Sequence, residues 1–191
     1  MNSFGRSVSI EAMQQEWLEI QAAQDNPSLF RPLYNRYYNQ IFHFIYKRTV
    51  DEDLAADLCS QVFLKAMQKL DGYSFKGVPF SAWLFRIAAN EVAQHYRKTQ
   101  KSRVVSIEDH NLNHMLDEME TDDMAPYRSV LIQSLEFLKE SDLEIVELRF
   151  FEQRPFKEVA DILGITESNA KVRTYRVLER LKKIMLENIK E

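Results

Sequence analysis

Residues 155–183, PFKEVADILGITESNAKVRTYRVLERLKK, contain two stretches with the apolar period of an α-helix, separated by Gly164. Glycine readily adopts the left-handed backbone that ends a helix, so the pattern predicts a turn at this position. Thr166 follows the turn and is a suitable N-cap for the next helix. The second helix carries one apolar stripe, formed by Ala170, Thr174, Val177, Leu178 and Leu181. The segment is therefore predicted to fold as a helix-turn-helix with a packed inner face.

The opposite side of the second helix is polar and basic. Residues 166–183 include six basic side chains and only two acidic ones. A helix fits the DNA major groove, where its early residues reach base edges and its arginines reach phosphates or guanines. The predicted contacts to duplex DNA are Ser168, Asn169, Lys171, Val172, Arg173, Arg176 and Arg180. The alternative is a basic, solvated face on an ordinary helical hairpin.

A second helical pattern, FSAWLFRIAANEVAQHYRK at residues 80–98, has a broad apolar arc and a narrower polar sector. The polar sector contains Trp83, Arg86, Asn90, Gln94 and Arg97. An aromatic ring beside arginines suits single-stranded nucleic acid, because unpaired bases stack on rings while cations hold the backbone. The alternative is that Trp83 packs against a neighbouring helix and the arginines are merely solvated.

The composition favours an all-α fold. Of 191 residues 45% are hydrophobic, enough to fill real cores, and only 4 Gly and 5 Pro are present. Helical patterns cover residues 10–24, 28–48, 51–70 and 80–101, and then residues 127–138, 142–152, 156–163 and 167–186. We therefore expect two small helical domains, at residues 1–103 and 126–191.

Residues 104–125 lack a clear apolar period and are predicted to form a flexible, acidic linker between the domains. Residues 108–123 include seven acids and neither Lys nor Arg, in a chain whose net charge is −4. An acidic segment near two basic surfaces suggests that the linker screens DNA binding in the free protein. This hypothesis depends on Asp117, Glu118, Asp122 and Asp123.

The sequence offers little support for catalysis. It contains no glycine-rich phosphate-binding motif, and its histidines are scattered: His43, His95, His110 and His114. Cys59 fits an apolar helical pattern and is expected to be a small buried residue. His110 and His114 could bind a metal if they lie on a helix, but solvated side chains are the favoured interpretation in a polar linker. We expect no catalytic activity, no small-molecule substrate, no cofactor and no metal.

The N-terminal sequence, MNSFGRSVSIEAMQQEW, lacks the basic flank and unbroken apolar core of a signal peptide. No apolar run approaches the roughly 20 residues that span a bilayer. These features predict a cytoplasmic protein without membrane insertion.

Taken together, these motifs resemble the extracytoplasmic-function (ECF) group of sigma factors, the small bacterial type that retains only conserved regions two and four. Region two is matched by LFRPLYNRYYNQIFHFIYKR, DLCSQVFLKAM and FSAWLFRIAANEVAQHYRK. Region four is matched by residues 134–183, which contain the helix-turn-helix. The resemblance covers most of the chain, and two motifs in this order are far more specific than either motif alone.

The resemblance implies a sigma factor that directs core RNA polymerase to promoters and helps to open the DNA. It implies that the −35 duplex is read by the helix-turn-helix residues given above. The melted −10 strand would meet a base-capturing loop and the following helix, at Tyr73, Ser74, Phe75, Lys76, Phe80, Trp83, Arg86, Asn90 and Arg97. Capturing a base costs a few kcal/mol of unstacking, which ring stacking offsets.

By the same resemblance, core polymerase would bind a helix surface that includes Asp57, Leu58, Gln61, Val62 and Phe63. The three apolar members of this set, Leu58, Val62 and Phe63, are equally compatible with a place in the core. Family members are also held inactive by anti-sigma proteins, which adds such an inhibitor to the expected partners.

The chain departs from the family pattern at Ala56 and Ser60, where acids or Gln are common, and at Gln94, where Asp is common. The sequence LKESD also replaces the usual Leu-Pro-Glu-Arg at the start of a region-four helix. A different function remains open: a helix-turn-helix regulator with an N-terminal sensor domain. That alternative requires an enclosed apolar pocket and a dimer interface.

Overall fold

The computed structural model describes residues 8–99, 109–119 and 127–188. The chain divides into two compact units, one within residues 6–106 and the other within residues 107–191. Every regular element in the described ranges is helical, so the predicted all-α fold is confirmed. None of the helices in these ranges combines the length and the apolar character needed to cross a membrane.

Residues 8–99 of the first unit form four α-helices: α1 (Ile10–Asp25), α2 (Arg31–Thr49), α3 (Glu52–Lys69) and α4 (Phe80–Thr99). Pro27–Phe30 forms a 3₁₀ turn before α2, and Leu70–Gly72 forms another after α3. Side-chain caps begin two of the helices, because Ser9 accepts from the Ala12 amide at 3.2 Å and Asp51 accepts from the Leu54 amide at 3.0 Å.

The core of the first unit lies where α2, α3 and α4 pack together. Its most buried side chains include Leu33, Ile41, Phe44, Ile45, Val62, Phe80, Leu84 and Phe85. Cys59 is buried here, as its apolar pattern predicted. Burial raises the pKa of the Cys59 thiol to about 12, which suppresses the reactive thiolate at neutral pH.

In the second unit, the described residues 109–119 and 127–188 form five α-helices: α5 (Asp109–Glu118), α6 (Tyr127–Glu136), α7 (Glu140–Val146), α8 (Phe156–Leu163) and α9 (Glu167–Asn188). α7 continues as a π-helical turn, Glu147–Phe151. The core draws on all five helices and includes Met115, Leu116, Leu131, Leu135, Ile145, Val159, Ala170, Leu181 and Met185.

The segment predicted to be a flexible linker, residues 104–125, contains a helix, α5. Met115, Leu116 and Met119 are buried, and the Lys182 ammonium donates to the Met119 carbonyl oxygen at 2.7 Å. The sequence does carry a signal for this helix, because Leu112, Met115, Leu116 and Met119 are spaced i, i+3, i+4 and i+7, so the predicted absence of an apolar period is wrong. Burial of Met115, Leu116 and Met119 stabilises this short helix within the second unit.

The predicted start of α7 is also corrected. Ser141 and Glu144 resemble a capping box, but the helix begins at Glu140 with Lys139 as its N-cap and without a side-chain cap. Ser141 is therefore inside the helix, where its carbonyl oxygen accepts a hydrogen bond from the Arg173 guanidinium at 3.2 Å. This contact joins α9 to α7 but does not cap the helix, because the free backbone groups at a helix start are amides, which need an acceptor.

Candidate nucleic-acid interface

The turn between α8 and α9 has the geometry that the sequence predicted. Gly164 has φ 67 and adopts the left-handed conformation at the end of α8. The Ile165 amide then donates to the Ala160 carbonyl oxygen at 3.0 Å, which closes the helix end. Thr166 Oγ1 accepts from the Asn169 amide at 3.2 Å, so the predicted cap of α9 is confirmed.

The apolar stripe of α9 faces the core, as predicted. All five of its members are buried: Ala170, Thr174, Val177, Leu178 and Leu181. Their burial fixes the rotation of the helix and turns the opposite side chains to solvent. Ser168, Asn169, Lys171, Val172, Arg176 and Arg180 are exposed, and Arg173 is half-buried. Val172 is apolar yet 46% exposed, which suits contact with a thymine methyl group.

The arginines of α9 differ in whether they form an ion pair with an acid. Arg180 Nη1 lies 2.8 Å from Asp142 Oδ2, and Arg173 Nη2 lies 4.0 Å from Asp142 Oδ1. Within the described ranges, Arg176 makes no ion pair with an acid. Asp142 thus tethers two of the three arginines to α7, a distinction that helical periodicity alone does not reveal.

The acidic helix α5 lies beside α9. The Tyr175 hydroxyl donates to Glu118 Oε1 at 3.3 Å, and the neighbouring Asp117 is exposed. Two residues of the screening hypothesis therefore lie in the same unit as the basic helix. The other two, Asp122 and Asp123, lie outside the described residues.

In the first unit, three aromatic rings form one cluster at the start of α4. The Trp83 ring centroid lies 4.9 Å from Tyr73 and 5.3 Å from Phe80, and Tyr73 lies 5.1 Å from Phe80. Trp83 is half-buried, so it packs against its neighbours and still offers part of its ring to solvent. We name Tyr73, Phe80 and Trp83 the aromatic cluster.

The other −10 candidates surround the aromatic cluster with graded exposure. Ser74, Lys76, Asn90 and Arg97 are exposed, whereas Phe75, Arg86 and Gln94 are half-buried. Phe80 and Tyr73 differ from the expectation of rings that stack on DNA, because they are only 1% and 9% exposed. The Phe80 ring packs against the Tyr73 and Trp83 rings and does not face solvent.

The polymerase-binding candidates on α3 separate into two sets. Asp57 and Gln61 are exposed, whereas the apolar members Leu58, Val62 and Phe63 are buried in the core. These three side chains are therefore core residues, which is the alternative that the sequence left open. They hold α3 in place but do not form its outer surface.

Two apolar residues of α3 outside the predicted polymerase-binding set are exposed. Leu64 is 57% exposed and Met67 is 44% exposed. Residues 57, 61, 64 and 68 share one helical face, so Leu64 lies next to Asp57 and Gln61 on the outer surface. The sequence does contain a signal for these two residues, because the apolar residues of α3 spread over a wider arc of the helix than one buried face occupies.

The histidine pair of the predicted linker lies on a helix, since α5 includes both positions. The side chains of His110 and His114 are outside the described set. Among the described side chains, no group of three or more His, Cys, Asp or Glu residues is arranged to hold a metal ion.

Two protein-family models match the chain, in the order that the resemblance predicts. Sigma-70 region 2 matches residues 33–102, which include most of α2 and all of α3 and α4. Sigma-70, region 4 matches residues 135–183, which include the helix-turn-helix.

Curated relatives are similar over most of the chain. RNA polymerase sigma factor YlaC of Bacillus subtilis is 30% identical over 166 residues, covering 83% of this chain and 93% of the relative. ECF RNA polymerase sigma factor BldN of Streptomyces coelicolor is 29% identical over 164 residues, covering 82% of this chain. The matched part spans only 60% of BldN.

A solved structure supports the fold. The sigma factor RpoE, in complex with the anti-sigma factor NepR from Bartonella quintana, has a TM-score of 0.53 and 21% identity. The match covers 82% of this chain and 96% of that one. Both family regions and a relative matched over nearly its whole length thus agree with the geometry: the chain belongs to the ECF group of RNA polymerase sigma factors.

Proposed function

We propose that the two helical units divide the work of a sigma factor between them. Membership of the family gives the overall function, which is to direct core RNA polymerase to promoters and to help open the DNA. In this proposal the second unit reads the −35 duplex, and the first unit binds polymerase and the melted −10 strand. The chain acts in the cytoplasm, and it has no catalytic activity of its own.

The observation that carries the −35 assignment is the outward face of α9. Asn169, Val172 and Arg176 are exposed together on a helix whose other side is locked into a core. Asparagine, arginine and an exposed methyl-bearing side chain are the groups that recognise adenine, guanine and thymine in the major groove. Lys171, Arg173 and Arg180 flank them and supply charge for the phosphates.

The aromatic cluster supports the −10 assignment. Trp83 offers a partly exposed ring beside Tyr73, and the exposed Lys76, Asn90 and Arg97 lie on the same loop and helix. Unpaired bases stack on such rings while nearby cations hold the backbone. Duplex DNA offers no exposed base faces, so this surface favours a melted strand.

The outer face of α3 is the proposed polymerase-binding surface, in a revised form. Asp57, Gln61, Leu64 and Met67 are its exposed members. Tyr34 of α2 adds an exposed ring, 4.7 Å from the buried Phe63 ring. An apolar centre with polar residues at its edge is typical of a protein interface.

An anti-sigma protein is a further proposed partner. The solved sigma factor RpoE was captured with one, and a sigma factor that exposes both a polymerase surface and DNA surfaces offers an inhibitor several places to bind. We expect an inhibitor to compete with core polymerase for the outer face of α3.

The deciding experiment is run-off transcription by core polymerase on genomic fragments, with and without the protein, followed by mapping of start sites. We expect transcripts that depend on the protein and share sequence elements upstream of their start sites. A pull-down with core polymerase separates this function from a regulator that carries a sensor domain. Failure both to bind core polymerase and to stimulate initiation would contradict the proposed function.

A further inference from the structure

The loop that leads into α4 is held by α1, a helix outside the residues matched by the region-two model. We name residues 70–79 the capture loop. The Trp17 ring of α1 lies 5.9 Å from the Tyr73 ring and 6.5 Å from the Phe75 ring. The Trp17 and Phe75 planes differ by 29°, so the two rings are nearly parallel. One side chain of α1 thus packs against both aromatic residues of the loop.

Gln24 of α1 holds the backbone at the start of the capture loop. Its Nε2 atom donates to the Leu70 carbonyl oxygen at 2.8 Å and to the Tyr73 carbonyl oxygen at 2.9 Å. An amide nitrogen has two hydrogens, and both are used here. A single side chain therefore fixes the two ends of the turn that precedes Ser74 and Phe75.

Glu16 of α1 holds the other end of the loop. Glu16 is only 7% exposed, and its carboxylate accepts from the Phe80 amide at 3.3 Å, where α4 begins. Arg36 Nη1 donates to the same carboxylate at 3.1 Å, and the Tyr37 hydroxyl donates as well. A buried carboxylate requires such donors, so this contact is built into the fold. α1 thus contacts the capture loop at its beginning, its middle and its end.

We propose that α1 belongs to the single-strand-binding site, with Trp17 and Gln24 as positioning residues that hold the capture loop in its base-binding shape. This inference rests on the proposed function, because it concerns the same −10 surface. Neither residue needs to touch DNA. A base that leaves the stack costs free energy, and a loop that must also be ordered at that moment adds to the cost.

A capture loop that is held in one shape is expected to distinguish more sharply between bases. A rigid pocket discriminates between the captured base and an empty position, whereas a loose loop adapts to either. Loss of either positioning residue is therefore expected to lower discrimination at one position of the melted strand. Core-polymerase binding and −35 duplex binding use other surfaces and are expected to remain unchanged.

The test uses holoenzyme and a single-stranded probe. The probe is the non-template strand of the melted segment from a promoter mapped by run-off transcription, and its partner probe has an abasic site at the captured position. The measured quantity is the ratio of the two dissociation constants. An abasic scan along the strand with wild-type protein identifies that position as the one with the largest ratio.

Gln24→Glu is the most informative variant because it keeps the shape of the side chain. It replaces the donating amide group with a carboxylate, which cannot donate to the two carbonyl oxygens. We expect the discrimination ratio to fall by about tenfold, as the loss of two hydrogen bonds to the loop implies. Gln21→Glu is the matched control, since Gln21 is exposed on the same helix and the variant adds the same charge. We expect it to leave the ratio unchanged.

Trp17→Ala and Trp17→Phe test the ring contact in the same assay. We expect Trp17→Ala to lower the ratio by several-fold and Trp17→Phe to restore most of it, because a smaller ring still packs on Tyr73 and Phe75. A merely structural role would reduce the fraction of folded protein, which changes both dissociation constants equally and leaves their ratio intact. Thermal unfolding reports that fraction separately.

The outcomes distinguish this inference from the proposed function. If wild-type holoenzyme transcribes and discriminates, and folded Gln24→Glu discriminates equally well, then α1 has no positioning role. If Trp17→Ala does not fold, the comparison of Gln24→Glu with its control Gln21→Glu is the deciding test. Wild-type protein that binds no core polymerase and stimulates no transcription would overturn the proposed function, and the inference with it.

Discussion

The two proposed DNA surfaces are built in different ways. The face of α9 consists of side chains on one helix, each directed outward by the helical period and by the burial of the opposite stripe. The −10 surface is assembled from α1, the capture loop and α4, and its rings contact one another at 4.9–6.5 Å. The first surface is a row of separate groups, whereas the second is a packed cluster.

This difference predicts how each surface responds to substitution. On α9, an exposed side chain can be removed without disturbing its neighbours, so effects should be confined to DNA binding and should add. In the aromatic cluster, each ring supports the others, so effects on DNA binding and on stability should appear together and should not add.

Trp83→Ala is expected to have the largest effect, because it removes a stacking surface and also loosens Tyr73 and Phe80. Loss of one base–aromatic stack costs about 1–3 kcal/mol, which is roughly a 5- to 150-fold loss of strand opening. Permanganate footprinting on a mapped promoter measures opening, and thermal unfolding measures stability. We expect both to fall, with duplex binding affected less. Equal opening by the variant would remove Trp83 from the mechanism.

Arg176→Ala is expected to weaken binding to the −35 duplex by about tenfold, since one bidentate contact to guanine contributes about 1–3 kcal/mol. The unfolding temperature should not change, because Arg176 is exposed. Fluorescence anisotropy with full-length protein and duplex DNA measures the binding. Lys183→Ala on the same helix, with a side chain 76% exposed, is the control for charge. A loss of stability in Arg176→Ala would contradict the view of α9 as separate groups.

Arg180→Ala is expected to weaken duplex binding by only about two- to threefold, less than Arg176→Ala, because its guanidinium is already engaged by Asp142. The same anisotropy assay applies. A larger effect than that of Arg176→Ala would show that the Asp142 contact orients Arg180 toward DNA instead of competing with it.

Glu118→Gln combined with Asp117→Asn is expected to have the smallest effect. Removing two negative charges beside α9 should strengthen duplex binding by the free chain about twofold at low salt, and the gain should fade as salt screens the charges. Glu179→Gln on α9 itself is a useful comparison, since it removes an exposed charge from the helix. If binding at low salt does not change, α5 does not screen DNA binding.

Much of the α9 surface could be predicted from the sequence. The turn at Gly164, the Thr166 cap and the buried stripe of α9 depend on residues within a few positions of one another. Helical period and backbone preference are local properties, so a single sequence suffices to predict them. The same reasoning assigned the helices of the first unit to within a few residues.

Other features required the tertiary structure. Which apolar residues of α3 are buried depends on how α2 and α4 cover it, and this packing buries Phe63 but exposes Leu64 and Met67. The half-burial of Trp83 depends in the same way on the capture loop that packs against it. Burial of this kind is a property of neighbouring elements and cannot be obtained from the period of one helix.

Local sequence patterns thus suffice to predict an all-α chain with two motifs in a family-specific order, and they predict the outward face of α9. The packed structure was needed to show that Asp142 restrains Arg173 and Arg180 and that α1 holds the capture loop. The reason is physical: caps and helical faces arise from neighbours along the chain, whereas the bonds from Gln24 to the loop join residues 46 and 49 positions apart.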